Sequence, residues 1–288
     1  MIEDITILKR LSRIKEIPTL PEIIQEVLAA VASDESSAED LAGILSKDQS
    51  LCSKALRIAN SAFFAQNRKI FEIEDAIVIL GFDSIAQLIL ATVMVDAFRS
   101  IRLSPSFKLY DFWKHSIGVA VTSRVIAEAV LRKPESSTAY TAGLLHDTGK
   151  LVMLSYLVDR YAPVLAKLDS AELFVHEAER SLLGFTHCDI SEWLCRRWNF
   201  PQELIDPIAR HHHDLPPDSN GNVITRIVKL ANILCNRMEI GYSGNTKRYS
   251  VSCEELVAIG LDEVKAGRIE QSLIERDKEI NLLLTAIS

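Results

Sequence analysis

The sequence predicts an all-α protein of two packed helical lobes. Three observations carry this. Apolar residues recur at helical spacing along the whole chain, and no stretch alternates apolar and polar residues as a half-buried strand would. Start and stop signals punctuate that pattern: Pro21, Ser36-Ser37, Gly81, Gly184 and Pro201. With 288 residues, 48% of them hydrophobic, the chain can bury a core without help from a disulfide or a metal.

Residues 3–15 read as an amphipathic lead-in, and Pro21 opens the first full helix, through Ile23, Ile24, Val27, Leu28 and Val31 to Ala32. Ser36 or Ser37 ahead of Glu39 and Asp40 caps a helix from Ala38 to Ser46. Helices from Leu51 to Ala62, from Ile73 to Leu80 and from Asp83 or Ser84 to Phe98 complete the first lobe. The short pair around Asp48-Gln49-Ser50 has the spacing of a helix-turn-helix. It offers only Lys54 and Arg57 on an acidic chain, so we read it as packing.

Ser104-Pro105 is a turn signal and places the lobe boundary at 1–104 and 105–288. The second lobe opens on Phe107, Tyr110, Phe112 and Trp113, with a helix from Tyr110 to Leu131. Residues 133–137 read as a loop, Ser137 or Thr138 caps the next helix, and further helices are expected over Asp169–Leu183, Thr186–Trp198 and from Pro201 to the triple histidine. Asn220-Gly221-Asn222 is a turn before a helix from Val223 to Met238, and 252–260 and 261–286 are helical.

Composition narrows the function. With 39 acidic and 32 basic residues the formal charge is −7, which argues against a nonspecific nucleic-acid or membrane binder. Five widely spaced cysteines without a Cys-x-x-Cys read as reduced thiols, and the N-terminus lacks the pattern of a signal peptide. The apolar stretch Ile85–Phe98 is too short to span a bilayer. A cytoplasmic protein is expected.

The chemistry gathers at Ala142-Gly-Leu-Leu-His-Asp-Thr-Gly-Lys150, where His146 and Asp147 interrupt an apolar run. A buried carboxylate costs several kcal/mol unless something neutralises it. A metal ion could do so, and so could Lys150. Of the seven histidines, six (His115, His146, His187, His211, His212 and His213) fall near expected helix ends in the second half. The seventh, His176, lies beside Glu177 and Glu179 and reads as a surface or salt-bridged histidine.

In the order His, His-Asp, His, His-His, the chain resembles the HD superfamily of metal-dependent phosphohydrolases. It is closer still to its HDOD branch, the HD-related output domain of bacterial signalling proteins. The blocks Ile17-Pro-Thr-Leu-Pro-Glu22, Lys47 to Ser61, Asp75 to Phe82 and Gly184 to Ser191 carry that likeness. The resemblance implies an HD-like second lobe and assigns His115, His146 and Asp147 to one ion, with His187 and His212 (or His211) to a second. Fe, Ni, Zn or Mn would suit such ligands. It places Asn232 where the family closes the site with an aspartate, and Lys150 where active relatives could meet a phosphate. Lys150 could equally pair with Asp147. The Gly-Tyr-Pro block of cyclic-dinucleotide phosphodiesterases is missing; Ile240-Gly-Tyr-Ser243 comes too late and lacks the proline.

Two functions follow as expectations. One is a signalling output or scaffold module with a protein partner and a catalytically degenerate metal pocket. The other is a metal-dependent phosphohydrolase acting on a nucleotide or other phosphoester. The neutral Asn232 favours the first.

Overall fold

The computed structural model describes residues 11–14, 17–33, 35–61, 64, 69–99, 101, 107–131, 133–215, 223–245, 247 and 250–287. Among them there is no strand. The expected lead-in falls largely outside these residues, as do the boundary near 104 and the turn at 220–222.

Five helices lie wholly among the described residues of the N-terminal part: α1 (Glu22–Ala32), α2 (Ala38–Ser46), α3 (Gln49–Ala59), α4 (Ile73–Leu80) and α5 (Phe82–Ala97). Their starts follow local chemistry. Ser37 and Asp40 form a reciprocal capping box on α2, and the Asp48 carboxylate accepts the N–H groups of Ser50 and Leu51 on α3. α4 and α5 meet at 114° across Gly81. α5 is buried from Ile85 through Val95, so it forms the centre of this half. No single helix among the described residues is long and apolar enough to cross a membrane.

Ten more follow among the described residues: α6 (Leu109–Val130), α7 (Lys133–Leu145), α8 (Thr148–Tyr156), α9 (Val158–Ser170), α10 (Val175–Leu183), α11 (His187–Arg197), α12 (Gln202–Arg210), α13 (Val223–Arg237), α14 (Cys253–Val257) and α15 (Glu263–Ile287). The long α6 is the spine, packing on α7, α13 and α15, while α8 packs on α11. One hydrophobic cluster runs through both halves. Phe98 touches Trp113 and Trp198, and the Trp198 indole N–H donates to the Pro18 carbonyl at 3.0 Å.

Two expectations need correction. Residues 133–137 are helical, since a proline in a first turn forfeits no helical hydrogen bond. Ser137 is therefore inside α7, where its carbonyl accepts from Thr141. The helix expected over 169–183 is two helices, broken at 171–174. The new start at Val175 is satisfied from far along the chain, its N–H donating to Asn245 Oδ1 at 3.0 Å, and local sequence carries no trace of that partner.

Candidate metal centre

α7 ends at Leu145, so His146 and Asp147 form the turn into α8 and are both fully buried. What brings the next histidine onto them is Gly149. A Cβ there would lie 2.1 Å from the His187 carbonyl oxygen and 2.8 Å from the Ser191 nitrogen, so only glycine lets α11 settle on the start of α8. Ser191 clamps that contact, its Oγ accepting the Gly149 N–H at 2.8 Å and donating to the His146 carbonyl at 3.2 Å. A second glycine acts at the other wall. Gly241, at φ 65°, brings residues 240–242 against α6, and the Ile240 carbonyl reaches His115.

Four imidazoles are held alike. His146 donates from Nδ1 to the Gly143 carbonyl (2.7 Å), His211 to Ile208 (2.9 Å) and His115 to Ile240 (3.2 Å), while His187 donates to Glu179 Oε2 (2.6 Å). Anchoring Nδ1 fixes the ring and turns Nε2 inward, the arrangement by which proteins orient metal-binding histidines. The Nε2 atoms then gather around one carboxylate. His146 Nε2 lies 3.3 Å from Asp147 Oδ2; His187 and His211 Nε2 lie 3.2 and 3.8 Å from Oδ1. Buried and without a hydrogen-bond partner are His146 Nε2, His187 Nε2 and Asp147 Oδ1. Ligand atoms about 2.1 Å from a shared ion stand about 3.0–3.4 Å apart, the spacing of the His146 and His187 contacts, with His211 a little farther out.

Asn232 completes this wall from α13, its Oδ1 3.1 Å from His115 Nε2. The orientation of its amide follows from its neighbour. Asn236 Nδ2 donates to the Asn232 backbone carbonyl at 2.8 Å, which fixes that amide, and it donates also to Asn232 Oδ1 at 2.7 Å. Asn232 therefore shows an acceptor to His115. Burial first, then the neighbouring His146, push His115 down to about 3, so its Nε2 carries a lone pair at neutral pH. With the His115 proton on Nδ1, two acceptors face each other at 3.1 Å, a place that suits a cation.

Burial disfavours the Asp147 carboxylate, but His146 and Lys150 outweigh it and hold the group well below the usual range. Lys150 is only 1% exposed, with Nζ 2.7 Å from Asp147 Oδ2 and 3.0 Å from the Ser243 carbonyl. The geometry is that of the ion pair. For His187 burial again opposes the charged form, yet Glu179 overrides it and raises the imidazole well above its ordinary 6.5.

The structure thus brings His115, His146, Asp147, His187, His211 and Asn232 together. His211 is the member of the triple histidine that reaches Asp147, while His212 flanks His187 with ring centroids 5.1 Å apart. Two subclusters emerge on either side of Asp147: His115 with His146 and Asp147, and His187 with Cys188, His211 and His212. Cys188 escaped sequence reading. So did Glu179, whose one signal is a buried, acidic position on the apolar face of α10. His176 is corrected: Glu179 belongs to His187, and His176 instead stacks on His212 at 4.1 Å. A cavity of about 220 Å³ opens on His176, His211, His212 and Asn232.

Comparison with known proteins fits this geometry. The HDOD domain family model matches residues 17–214. The chain belongs to the HDOD family. A solved HDOD domain protein from Geobacter sulfurreducens superposes with TM-score 0.81 at 25% identity, covering 98% of each chain. A chain from Shewanella amazonensis, provisionally assigned as a phosphohydrolase, has TM-score 0.71 at 23% identity over 97% and 98%, and shows the same fold. Among curated relatives, an uncharacterised Treponema pallidum protein is 27% identical over 71% of this chain, and a ribonuclease Y of Thermus thermophilus is 28% identical over 57%. This chain spans 39% and 25% of those two proteins' lengths.

Proposed function

We propose that this HDOD chain is a bacterial signalling output module that works through a protein partner, and that its His-Asp pocket holds a divalent transition metal without turning over phosphoesters. The donor set suits Fe, Ni, Zn or Mn, with imidazole nitrogens, one carboxylate and one carboxamide oxygen. A bound ion of this kind supplies Lewis acidity and lowers the pKa of coordinated water. His115, His146 and Asn232 would hold it on one side of Asp147, and His187 with His211 on the other.

The observation that carries the non-catalytic reading is the buried ammonium of Lys150, 2.7 Å from Asp147 Oδ2. It neutralises the carboxylate that both subclusters share, and Asn232 adds no charge in its place. That leaves charge for one ion rather than the two that the resemblance implies, without the paired clamp on attacking and leaving oxygens that two-metal hydrolysis uses.

A second reading, a phosphohydrolase for a nucleotide or other phosphoester, is favoured by the cavity that reaches His211, His212 and Asn232. The test is metal analysis of purified protein followed by hydrolysis assays with bis(p-nitrophenyl) phosphate, nucleotides and single-stranded RNA, each with Mn, Fe, Ni or Zn added. Bound metal with no turnover above blanks supports the output module. Turnover that disappears in His146→Ala establishes the enzyme.

A further inference from the structure

Among the described residues, the three buried cysteines have different surroundings. Cys195 and Cys235 belong to the hydrophobic cluster, and Cys235 Sγ has the Thr122 hydroxyl 3.5 Å away. Cys188, 3% exposed on the first turn of α11, stands outside that cluster and meets imidazole instead. Its Sγ lies 3.8 Å from His211 Nδ1 and 3.9 Å from His211 Nε2. One donor atom from each of His187, Cys188, His211 and His212 lies within 4.8 Å of the other three. Bonds of about 2.3 Å to sulfur and 2.0 Å to nitrogen put those atoms about 3.5 Å apart around a tetrahedral Zn, so side-chain shifts of about 1 Å close this set on one ion.

A second sign comes from His187, which is fully buried. Its Nε2 makes no hydrogen bond, because Asp147 Oδ1, although 3.2 Å away, lies off the direction that one requires. Charge points to the sulfur. The Asp147 carboxylate is matched by Lys150, whereas a thiolate brings a negative charge of its own to this side of the pocket. The family resemblance places histidines alone here, so Cys188 is a donor that this chain adds. Cys188 and His212 also line a cavity of about 530 Å³, together with Arg180 and Thr186, which gives an ion its way in.

We infer, on the reading that the pocket takes a metal, that His187, Cys188, His211 and His212 form a thiolate-containing site for Zn, with Cys188 as its anionic ligand. Sulfur sets the preference, since thiolate suits Zn and hard oxygen donors suit Mn. Four protein ligands fill a tetrahedral shell and leave no place for a reacting water, as in structural zinc sites. The absence of turnover proposed above follows on this side without any appeal to Asn232.

The test strips the full chain with a chelator, loads it with one equivalent of Zn and reads the ion's neighbours by X-ray absorption. The expected shell is one sulfur at about 2.3 Å among nitrogens at about 2.0 Å. In Cys188→Ser the sulfur disappears. Retention against a graded chelator also falls by at least about a hundredfold, since losing a ligand costs no less than losing its support. Cys253→Ser, at an exposed thiol, keeps both. The unmodified chain decides the matter even where a variant folds poorly. A shell of nitrogen and oxygen alone overturns the inference and leaves the metal reading standing; no bound Zn at all overturns both. A sulfur shell that persists in Cys188→Ser assigns the ion to another cysteine and overturns the inference as well.

Discussion

His187 and Glu179 form one unit: the carboxylate accepts both the Nδ1–H of the imidazole, at 2.6 Å, and the backbone N–H of the same residue, at 2.8 Å. Its other oxygen takes the Tyr161 hydroxyl at 2.7 Å, so Glu179 is itself held in place. A carboxylate behind a histidine raises the basicity of the opposite nitrogen. Glu179→Gln should therefore weaken metal retention by about ten- to a hundredfold while the helical content is unchanged. Metal content after dialysis against a graded chelator measures this, and equal retention would show that His187 holds no ion.

The same pair dictates a pH dependence. In the metal-free chain His187 is raised well above 6.5, so its inward nitrogen is protonated at neutral pH and an arriving ion must displace that proton. Affinity should rise about tenfold per pH unit over the neutral range. The stability contributions of the empty site run in opposite directions. That of His187 is fully present below its unfolded value of about 6.5 and is lost as pH climbs through the raised folded value. That of Asp147, whose pKa is depressed, is present above about 4 and lost as pH falls. Calorimetric titration in buffers of different ionisation enthalpy should count about one proton released per ion, and no release would place the ion away from His187.

Gly149→Ala should destabilise the chain strongly and abolish metal retention, because the new methyl group would stand 2.1 Å from the His187 carbonyl. The contact joins two helix ends, so no flexible side chain can yield. Ser191→Ala removes only the clamp and should cost about 1–3 kcal/mol by leaving the buried Gly149 N–H unpaired. Thermal unfolding of the two variants side by side checks the order, and an alanine at 149 as stable as the parent would contradict the packing described.

Much of this was legible in the sequence, and the residues that were not share a cause. His146 and Asp147 stand out because they interrupt an apolar run, and the helices follow from signals written locally, such as Ser37 with Asp40 ahead of α2 and Gly81 after α4. The supports of the site are written far apart. Glu179 reads as the neighbour of His176, yet folding places it under His187, and Ile240-Gly-Tyr-Ser243 reads only as a block that fails to match Gly-Tyr-Pro, yet the carbonyls of Ile240 and Ser243 meet His115 and Lys150. The split between α9 and α10 depends on Asn245, 70 residues downstream. Spacing along one helix reveals a face; it carries no information about which other helix end will meet it.

Lys150→Met should expose how far the ammonium substitutes for a metal. The variant leaves Asp147 buried without its cation, a loss of about 3–5 kcal/mol for a broken interior pair. Added Zn or Mn should restore more stability to this variant than to the parent, read as the difference in unfolding temperature with and without chelator. An equal metal-dependent shift in both proteins would mean that lysine and ion do not compete for Asp147.

Asn232→Asp tests the closing position directly. Its side chain faces His115 Nε2 at 3.1 Å, and Asn236 can still donate to the new carboxylate. Without metal the change buries an uncompensated charge beside His115 and should lower stability, with the His115 imidazole drawn up from about 3 as the nearest available cation. With metal the added carboxylate should tighten binding, so the variant is less stable than the parent in chelator and at least as stable in excess Zn or Mn. Retention through dialysis against a weak chelator should improve. Phosphoester hydrolysis need not appear, because Lys150 still neutralises Asp147 from the other side. Unchanged retention, together with the same stability ranking in chelator and in metal, would show that residue 232 does not face the ion and that another group closes the pocket.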